Sequence, residues 1–528
     1  MNTIKIVQVN TEDITGGAAR AAYRLHQGLL AIGQNSTMLV KSKASQDSLV
    51  HLMDQATTDM EGEYEFYCQA IQWQYINENR SSASNTLFSL PYMGYEITDH
   101  ELIQETDIIN LHWIAFFQSP VSLKRLFSMG KPVVWTLHDQ RPFTGGCHYA
   151  SGCKKYQSIC DICPQLNTDP YHLVESVFKD QIALYEDVDL TIVTPSQWLG
   201  QCASSSHLFK KFRIEVIPNA IETEKFHPIS AEFSKEKLGL AQDGISILFI
   251  AQDIHEKRKG FNYLLQSLQM LSSFPEIADL RKKGKIQLLC LGESREIFKS
   301  IDIPILSLGY IESDESIRAI YGAADIFVLP SLEDNLPNTL LEAMSCGVPA
   351  VGFDIGGVCD VIQEDHTGKL VPVGDTQAMA QALLDLVSQN AKRQAMKINC
   401  RTAALEKYKL EIQAHTYLQL YNELLDKKRA TSQIKLENKI FGKEFEKIFD
   451  AILFKSLKDY FSGKEKAFRE CEADRARRLK VIQESNCEID RLHSILNERD
   501  QQLLMLRKNK WIKLGKLLQM VKEQKNVE

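Results

Sequence analysis

The sequence predicts an α/β protein made of two open, doubly wound parallel-sheet domains, with a helical extension at its C-terminal end. Three observations carry this. Short apolar runs that read as buried strands, at residues 4–9, 107–111, 133–137, 190–194 and 213–217, are separated by helical or irregular stretches. Such alternation is what a parallel sheet covered on both faces requires. A second series starts at 245–251 and continues through 285–291, 326–329 and 348–353. From about Ala378 the pattern is almost wholly helical, and beyond Leu424 charge rises while glycine and proline nearly vanish.

Composition bounds the function before any motif does. The chain has 528 residues, long enough for about three domains at roughly 150 residues each. Hydrophobic residues make up 44% and charged residues 24%, an ordinary globular balance, and the net charge of -7 argues against a general nucleic-acid binder. No apolar run reaches about 18 residues, so no spanning helix is expected. Residues 1–9 alternate like a strand and lack the apolar centre of a signal peptide, which places the catalytic part in the cytoplasm. The 12 cysteines are scattered through a long chain, so most are expected to be reduced.

The first strand leads into Gly16-Gly17, followed by a helix with Ala18, Ala22, Leu25 and Leu29 on one face. Paired glycines where a helix opens let the backbone approach a phosphate or a sugar; a tight turn without a ligand is the alternative. The pattern is not G-x-G-x-x-G, so a nicotinamide dinucleotide is a weak reading. Ligands of parallel sheets gather at the carboxyl ends of strands. His112 and His138 occupy two such ends, each as a candidate catalytic group or a hydrogen-bonded structural one.

A cysteine-rich loop over 141–166 follows immediately. Cys147, Cys153, Cys160 and Cys163 fall within seventeen residues, and thiolates so close in a reducing compartment favour a closed tetrahedral zinc site that would pin an irregular loop. The spacing is not that of a standard finger, and His148 could replace one ligand; free or paired thiols are the other reading. Catalysis itself is expected to need no cofactor. The loop's place right after His138 suggests that it shapes the acceptor side.

In the second series, the strand at 326–329 ends at Pro330-Ser331 and a polar loop opens a helix over 339–345, with Gly347 past its end. Another strand leads to Gly356-Gly357. Two strand-to-helix turns side by side present backbone N–H groups that attract phosphate. Asp334 and Glu342 flank the first of these turns, eight residues apart.

The stretch from Asp334 through Glu342-Ala343-Met344-Ser345-Cys346-Gly347-Val348-Pro349 resembles the nucleotide-sugar site of family 4 glycosyltransferases of the GT-B fold. That resemblance implies two Rossmann-like domains facing a cleft, with boundaries expected at 1–195 for the acceptor domain and 196–398 for the donor domain. A helix over 399–428, carrying Tyr417 and Tyr421, would cross back, and a helical tail would fill 429–528. In the first domain the glycine loop gives Gly16, Gly17 and Arg20 as donor-sugar contacts, and the T-x-H-D segment around His138 is similar to one that faces the reacting sugar. In the second, Lys259 holds the position of a diphosphate-gripping lysine. Gln252 replaces the usual arginine, which leaves Arg258 as a substitute. Gly309 and Tyr310 would receive the base and Glu342 the ribose hydroxyls. Asp334, Asn335 and Leu336 would hold sugar and phosphate beside Gly356 and Gly357. Asp334 stands where relatives more often carry Glu, with Glu333 one residue too early for the spacing.

The function implied is retaining transfer of a sugar from a UDP- or GDP-sugar to a glycan or lipid-linked acceptor, in cell-envelope or exopolysaccharide synthesis, with the leaving phosphate helping to take the acceptor proton. A glycoside hydrolase, an epimerase on the same architecture, and a nucleotide-sugar-binding scaffold without turnover are the alternatives. In the tail, Ile482, Ile489, Leu496 and Leu503 repeat every seven residues, so 479–506 reads as a short coiled coil for self-association. The basic amphipathic stretch 505–522 reads as a membrane-surface or partner-binding helix, peripheral on the inner face of the plasma membrane.

Overall fold

A computed structural model describes residues 3–53, 69–70, 72–84, 87–91, 94–251, 256–292, 301–311 and 313–435. Gln252, the coiled coil expected over 479–506 and the basic stretch 505–522 lie outside them. Among the described residues no helix is long and apolar enough to cross a membrane.

Two parallel sheets form the frame. The first has β1 (Lys5–Glu12), β2 (Asn35–Ser42), β3 (Val50–Leu52), β4 (Ile108–Leu111), β5 (Val133–Thr136), β6 (Leu190–Thr194) and β7 (Arg213–Val216), in the order 3-2-1-4-5-6-7. The second has β8 (Ile245–Ala251), β9 (Ile286–Gly292), β10 (Ile305–Gly309), β11 (Ile326–Leu329), β12 (Ala350–Phe353) and β13 (Gly368–Val371), in the order 10-9-8-11-12-13. β4, β5 and β11 are buried at every residue, which is why they read as unbroken apolar runs and not as alternation. In the second sheet Ile247 and Phe249 face one layer with Leu264, Leu268 and Leu383. Leu248 between them faces the other layer, with Tyr321, Leu340 and Leu341.

Each order reverses once, between β1 and β4 and between β8 and β11. Those are the switch points where the connections diverge and a crevice opens beyond the strand ends. His112 directly follows β4, and Asp334 stands five residues past the end of β11.

The domain boundary differs from the one expected at 195. The Gln197–Ser205 helix and β7 belong to the first sheet, since Thr191 to Thr194 of β6 pair in register with Arg213 to Val216. The division therefore falls between β7 and β8. The crossing region is likewise two helices. Asn390–Lys407 stays on the second domain through Met396, Cys400, Ala403 and Ala404. After Tyr408 the Leu410–Lys435 helix returns to the first domain, burying Ala414, Tyr417, Leu418, Tyr421 and Leu424 against Ile4, Ile6, Leu25, Leu29, Ile108 and Val134. That stripe has helical spacing. Gly28 admits the returning chain: a Cβ there would sit 2.7 Å from the Leu410 carbonyl oxygen.

Candidate active site

On the second domain the site begins with a basic turn. Lys257–Lys259 form one 3-10 turn closed by Gly260 at φ 68, a left-handed conformation that suits glycine. A Cβ on Gly260 would collide with the Pro330 carbonyl, so this glycine lets the basic turn lie against the end of β11. Lys259 Nζ then donates to Asp334 Oδ2 at 2.8 Å, and Arg258 Nη1 lies 3.2 Å from the same oxygen. Burial opposes ionisation of Asp334, yet the Lys259 and Arg258 charges hold its carboxyl below the usual range. Glu333 differs. Burial raises its pKa, and its Oε2 accepts from the Ser151 N–H at 3.1 Å.

The two cations are unlike. Arg258 is buried, donates to Glu256 Oε1 (2.9 Å) and to the Glu333 carbonyl (3.1 Å), and lies 4.3 Å from the centre of the Tyr149 ring. Its fork and one face are engaged by protein. Lys259 keeps 30% of its side chain exposed, which leaves it the mobile ammonium of the pair.

Glu342 lies in the Asn338–Ser345 helix and is 5% exposed. Oε1 accepts from Arg24 Nη2 at 3.0 Å and Oε2 from the Tyr321 hydroxyl at 3.2 Å. Arg24 comes from the first helix of the other domain and also donates from Nε to Glu222 Oε2 at 2.6 Å. The ribose-binding carboxylate expected from the sequence is therefore the centre of a buried interdomain cluster.

The helix openings depart from expectation in part. The helix starts at Asn338 with Pro337 in the capping position, and no side chain caps it. Asn335 does not cap it either: its Nδ2 donates to the His138 carbonyl (3.1 Å) and its Oδ1 accepts from Ser196 Oγ (2.6 Å). At the second opening the Gly357 N–H is already bonded to the Asp334 carbonyl at 3.2 Å, and the helix there has only four residues, Val358–Val361. Gly356 and Gly357 thus serve a backbone-on-backbone contact, since a Cβ on either would run into the carbonyl oxygen of residue 334 or 335.

The first domain faces this wall with its glycine loop. The Gly17 carbonyl accepts from Asn338 Nδ2 at 2.8 Å, and Arg20 Nη1 lies 3.6 Å from Asp314 Oδ1, in the first turn of the Asp314–Ala323 helix. Gly16 has φ 90 with nothing within 4 Å of its virtual Cβ. His138 is half-buried at the end of β5, its Nε2 3.1 Å from His112 Nδ1. Burial pushes the His138 pKa down to about 4 and that of His112 well below its usual value. Leu336 is buried against the second domain's core, whereas Tyr310, past β10, is 74% exposed beside Gly309 at φ 67.

The cysteine loop touches the same place from outside. Tyr149, Ser151 and Arg258 bring it onto the donor wall, so it borders both halves of the cleft. Cys147, Cys153, Cys160 and Cys163 line one cavity with no disulfide among them. Burial raises the Cys147, Cys160 and Cys163 pKa values, the last two to about 12 and about 11. Among the described residues, though, no three His, Cys, Asp or Glu side chains converge as metal ligands. His148 does not replace a ligand: it is held by Asp139 Oδ2 at 2.6 Å and Ser89 Oγ at 2.8 Å. The four thiols nonetheless face one another closely enough to raise the Cys147 pKa, after burial, through Cys163, Cys160 and Cys153.

Sequence reasoning missed Arg24, Glu222, Tyr321 and Tyr149. One signal for Arg24 was present. It sits on the helix between Ala21 and Gly28, at i−3 and i+4, so an arginine falls within a stripe of small residues.

Comparisons with known proteins bear on the fold and on the second domain. Residues 244–389 match the family model described as glycosyl transferases group 1. WcaC of Escherichia coli (strain K12), whose name assigns it provisionally to colanic acid biosynthesis as a glycosyl transferase, is 23% identical over 392 residues, 72% of this chain and 90% of that protein. The capsular polysaccharide biosynthesis glycosyltransferase CapM of Staphylococcus aureus is 23% identical over 259 residues, 47% of this chain and 64% of its own length. Among solved structures, Anabaena HepE in complex with UDP-glucose superposes with a TM-score of 0.52 at 12% identity, covering 80% of this chain and all of that one (100%). Sucrose-phosphate synthase from Thermosynechococcus elongatus gives 0.52 at 17% identity, over 80% and 99%.

Proposed function

We propose that this chain, a GT-B glycosyltransferase with a group 1 domain in its second half, moves a sugar from a nucleoside-diphosphate sugar to a glycan or lipid-linked acceptor, with retention of configuration in the manner of family 4. The observation that carries the reading is the meeting of Lys259, Asp334 and Glu342 of one domain with the Gly16-Gly17 loop and His138 of the other.

The chemistry follows from the charges. As the bond between sugar and phosphate breaks, negative charge grows on the departing diphosphate. Lys259, the exposed member of the basic pair, is the group able to leave Asp334 and follow that charge. The uncapped N-terminus of the Asn338–Ser345 helix adds backbone N–H groups pointing the same way. Asp334 and Glu342 act as binding groups. Glu342 would exchange the Tyr321 or Arg24 hydrogen bond for the ribose hydroxyls, and Asp334, freed of Lys259, would take a sugar hydroxyl. The oxygen released on the phosphate helps remove the acceptor proton. HepE, whose structures hold UDP and UDP-glucose, supports a nucleotide-sugar donor. The names of WcaC and CapM support surface-polysaccharide assembly as the setting. In this reading the tail brings the enzyme to the inner face of the membrane through 505–522 and pairs two copies through 479–506.

A thermal-shift panel of UDP, GDP and their sugars tests the donor directly. The cognate nucleotide at about a hundredfold excess over its Kd should add roughly 2.7 kcal/mol of stability. The product formed with acceptor should keep the donor's anomeric configuration. Release of free sugar at the same rate with and without acceptor would instead mark a hydrolase, and an unchanged melting temperature across the panel would defeat the donor assignment.

A further inference from the structure

We propose that Cys147, Cys153, Cys160 and Cys163 bind one soft divalent cation of the zinc class, and that this ion fixes both ends of the link 148–152, through which the cysteine loop supports Arg258 and Glu333 of the donor wall. The metal site stands on its own geometry. Its consequence for donor binding rests on the sugar-transfer reading above.

The four side chains line one cavity of about 20 Å³, room for a particle the size of one water molecule. They reach it from separately anchored pieces of backbone. Cys147 is held by its bridge to Phe88, and Cys153 closes a turn, its N–H donating to the Ala150 carbonyl at 3.0 Å. Cys160 and Cys163 flank a short outward loop in which Ile162 is 75% exposed while Cys160 is buried.

Backbone donors are turned onto these sulfurs. The Lys155 N–H donates to Cys153 Sγ at 3.5 Å, the Gly145 N–H to the Cys160 sulfur, and the Gln165 and Leu166 N–H groups to the Cys163 sulfur. For Cys153 and Cys163 a donor comes two residues further along the chain. A neutral thiol is a weak acceptor and gains little from such a donor, whereas a thiolate metal ligand gains a charge-assisted bond that also orients it. Four anionic sulfurs around one small cavity repel one another unless a cation stands between them, and four soft ligands select zinc over magnesium or calcium. Each thiol passes its proton to solvent as its sulfur bonds the ion. Among the described residues the side chains as placed stop short of a coordination sphere. Zn–S bonds are about 2.3 Å, so binding contracts the loop around the ion.

The link between Cys147 and Cys153 carries the loop's contacts with the cleft. His148 holds Asp139 at 2.6 Å, the residue after His138. The Tyr149 ring lies 4.3 Å from the Arg258 guanidinium and is stacked with Trp198, the ring centroids 6.3 Å apart. The Ala150 N–H donates to Gln140 Oε1 at 2.6 Å and the Ser151 N–H to Glu333 Oε2 at 3.1 Å. Ser151 has φ 50, a left-handed conformation that a residue with a Cβ keeps only where its surroundings hold it. An ion that ties Cys147 to Cys153 holds this link from both ends. Tyr149 and Ser151 are therefore positioning residues, acting on the donor wall through Arg258 and Glu333.

Metal analysis of the full chain, purified under reducing conditions, tests the site without any assay of transfer. One equivalent of zinc per chain is expected, released when a mercurial blocks the thiols and retained in Cys359→Ser, whose thiol is exposed and outside the cluster. Cobalt(II) added to the stripped, reduced chain should give the sulfur-to-cobalt absorption of a tetrahedral four-thiolate site, and Cys160→Ser should lose it. Absence of both zinc and the cobalt bands overturns the proposal, and so does an iron–sulfur chromophore or a disulfide among the four cysteines. The wild-type chain serves where Cys160→Ser folds poorly: stripping its zinc with a chelator should weaken UDP or GDP binding roughly tenfold, and restoring zinc should recover it. Nucleotide affinity that is the same with and without the ion overturns the link to the donor wall. A chain that holds zinc and binds no nucleotide in either state keeps the metal site and defeats the donor reading.

Discussion

The two walls of the cleft solve the same problem by opposite means. The second domain's wall is dense with charge. Arg258 and Lys259 are paired with Asp334, Glu342 is paired with Arg24, and every one of these charges is answered by another before any ligand arrives. Around His138 the first domain's wall is built mainly of neutral groups, with His112 bonded to Gln8, Asn110 to Tyr421 and Thr136 to Tyr417, while the one adjacent carboxylate, Asp139, is turned to His148 and Trp113. A leaving group that gains charge needs the first kind of wall, where a cation can shift from Asp334 to phosphate without crossing bulk water. A sugar ring, which carries hydroxyls and no charge, needs the second, where directed hydrogen bonds select orientation without the desolvation cost of ions.

Removing the deepest charge should do the most damage. Glu342→Ala would leave Arg24 with Glu222 alone, and losing one partner of a buried pair costs about 3–5 kcal/mol. Transfer should fall on the order of 10²–10³-fold, as expected when a positioned group at a reacting centre is deleted. A Glu342→Ala enzyme with intact transfer and an unchanged melting temperature would break the account of the charged wall.

Lys259→Ala and Arg258→Ala sharpen the comparison within that wall. The first should lower kcat by about a hundredfold with little change in melting temperature, because the side chain is partly exposed and its work is on the leaving group. The second should lower the melting temperature first, because Arg258 lies against Tyr149 and bonds Glu256 and the Glu333 carbonyl. Equal effects from the two would show that both grip the diphosphate.

Acid should separate the walls more gently. His138 and the fully buried His26 have folded pKa values near 4 against the usual 6.5, so unfolding takes up protons between those values. Their contribution is whole above pH 6.5 and is lost as pH falls toward 4. Asp334, with its pKa lowered from 3.8, stabilises above that value and fails below it. Melting temperature should therefore decline in two stages. A level curve down to pH 4 followed by a single fall would assign the acid sensitivity to carboxylates alone.

Much of the frame was legible because parallel strands buried on both faces are apolar without interruption, as in residues 326–329 and 133–137. β2, β3, β10 and β13 escaped notice for the converse reason: exposed or half-buried positions break each run. The spacing of Asp334 and Glu342, Lys259 before Gly260 and the histidine after β5 could be read because each is a local pattern, and the structure sets Lys259 against Asp334 and Asn335 against His138. The partners of those residues were not legible. Arg24 and Glu342 are 318 residues apart, and Tyr421 and Asn110 are 311 apart, so no window on the chain contains either pair. The boundary at 195 failed differently: the apolar run at 213–217 already belonged to the first series of strands, and the boundary cut it off from the sheet whose edge it forms as β7.

The return of the chain after Tyr408 has a mechanical meaning. The outgoing connection and the homeward one touch where they cross, the Ile221 N–H donating to the Tyr408 carbonyl at 2.7 Å with a bridge between Ile221 and Lys409. Any force that draws one arm of the chain is therefore shared by the other, because the outgoing and homeward arms are joined at this point.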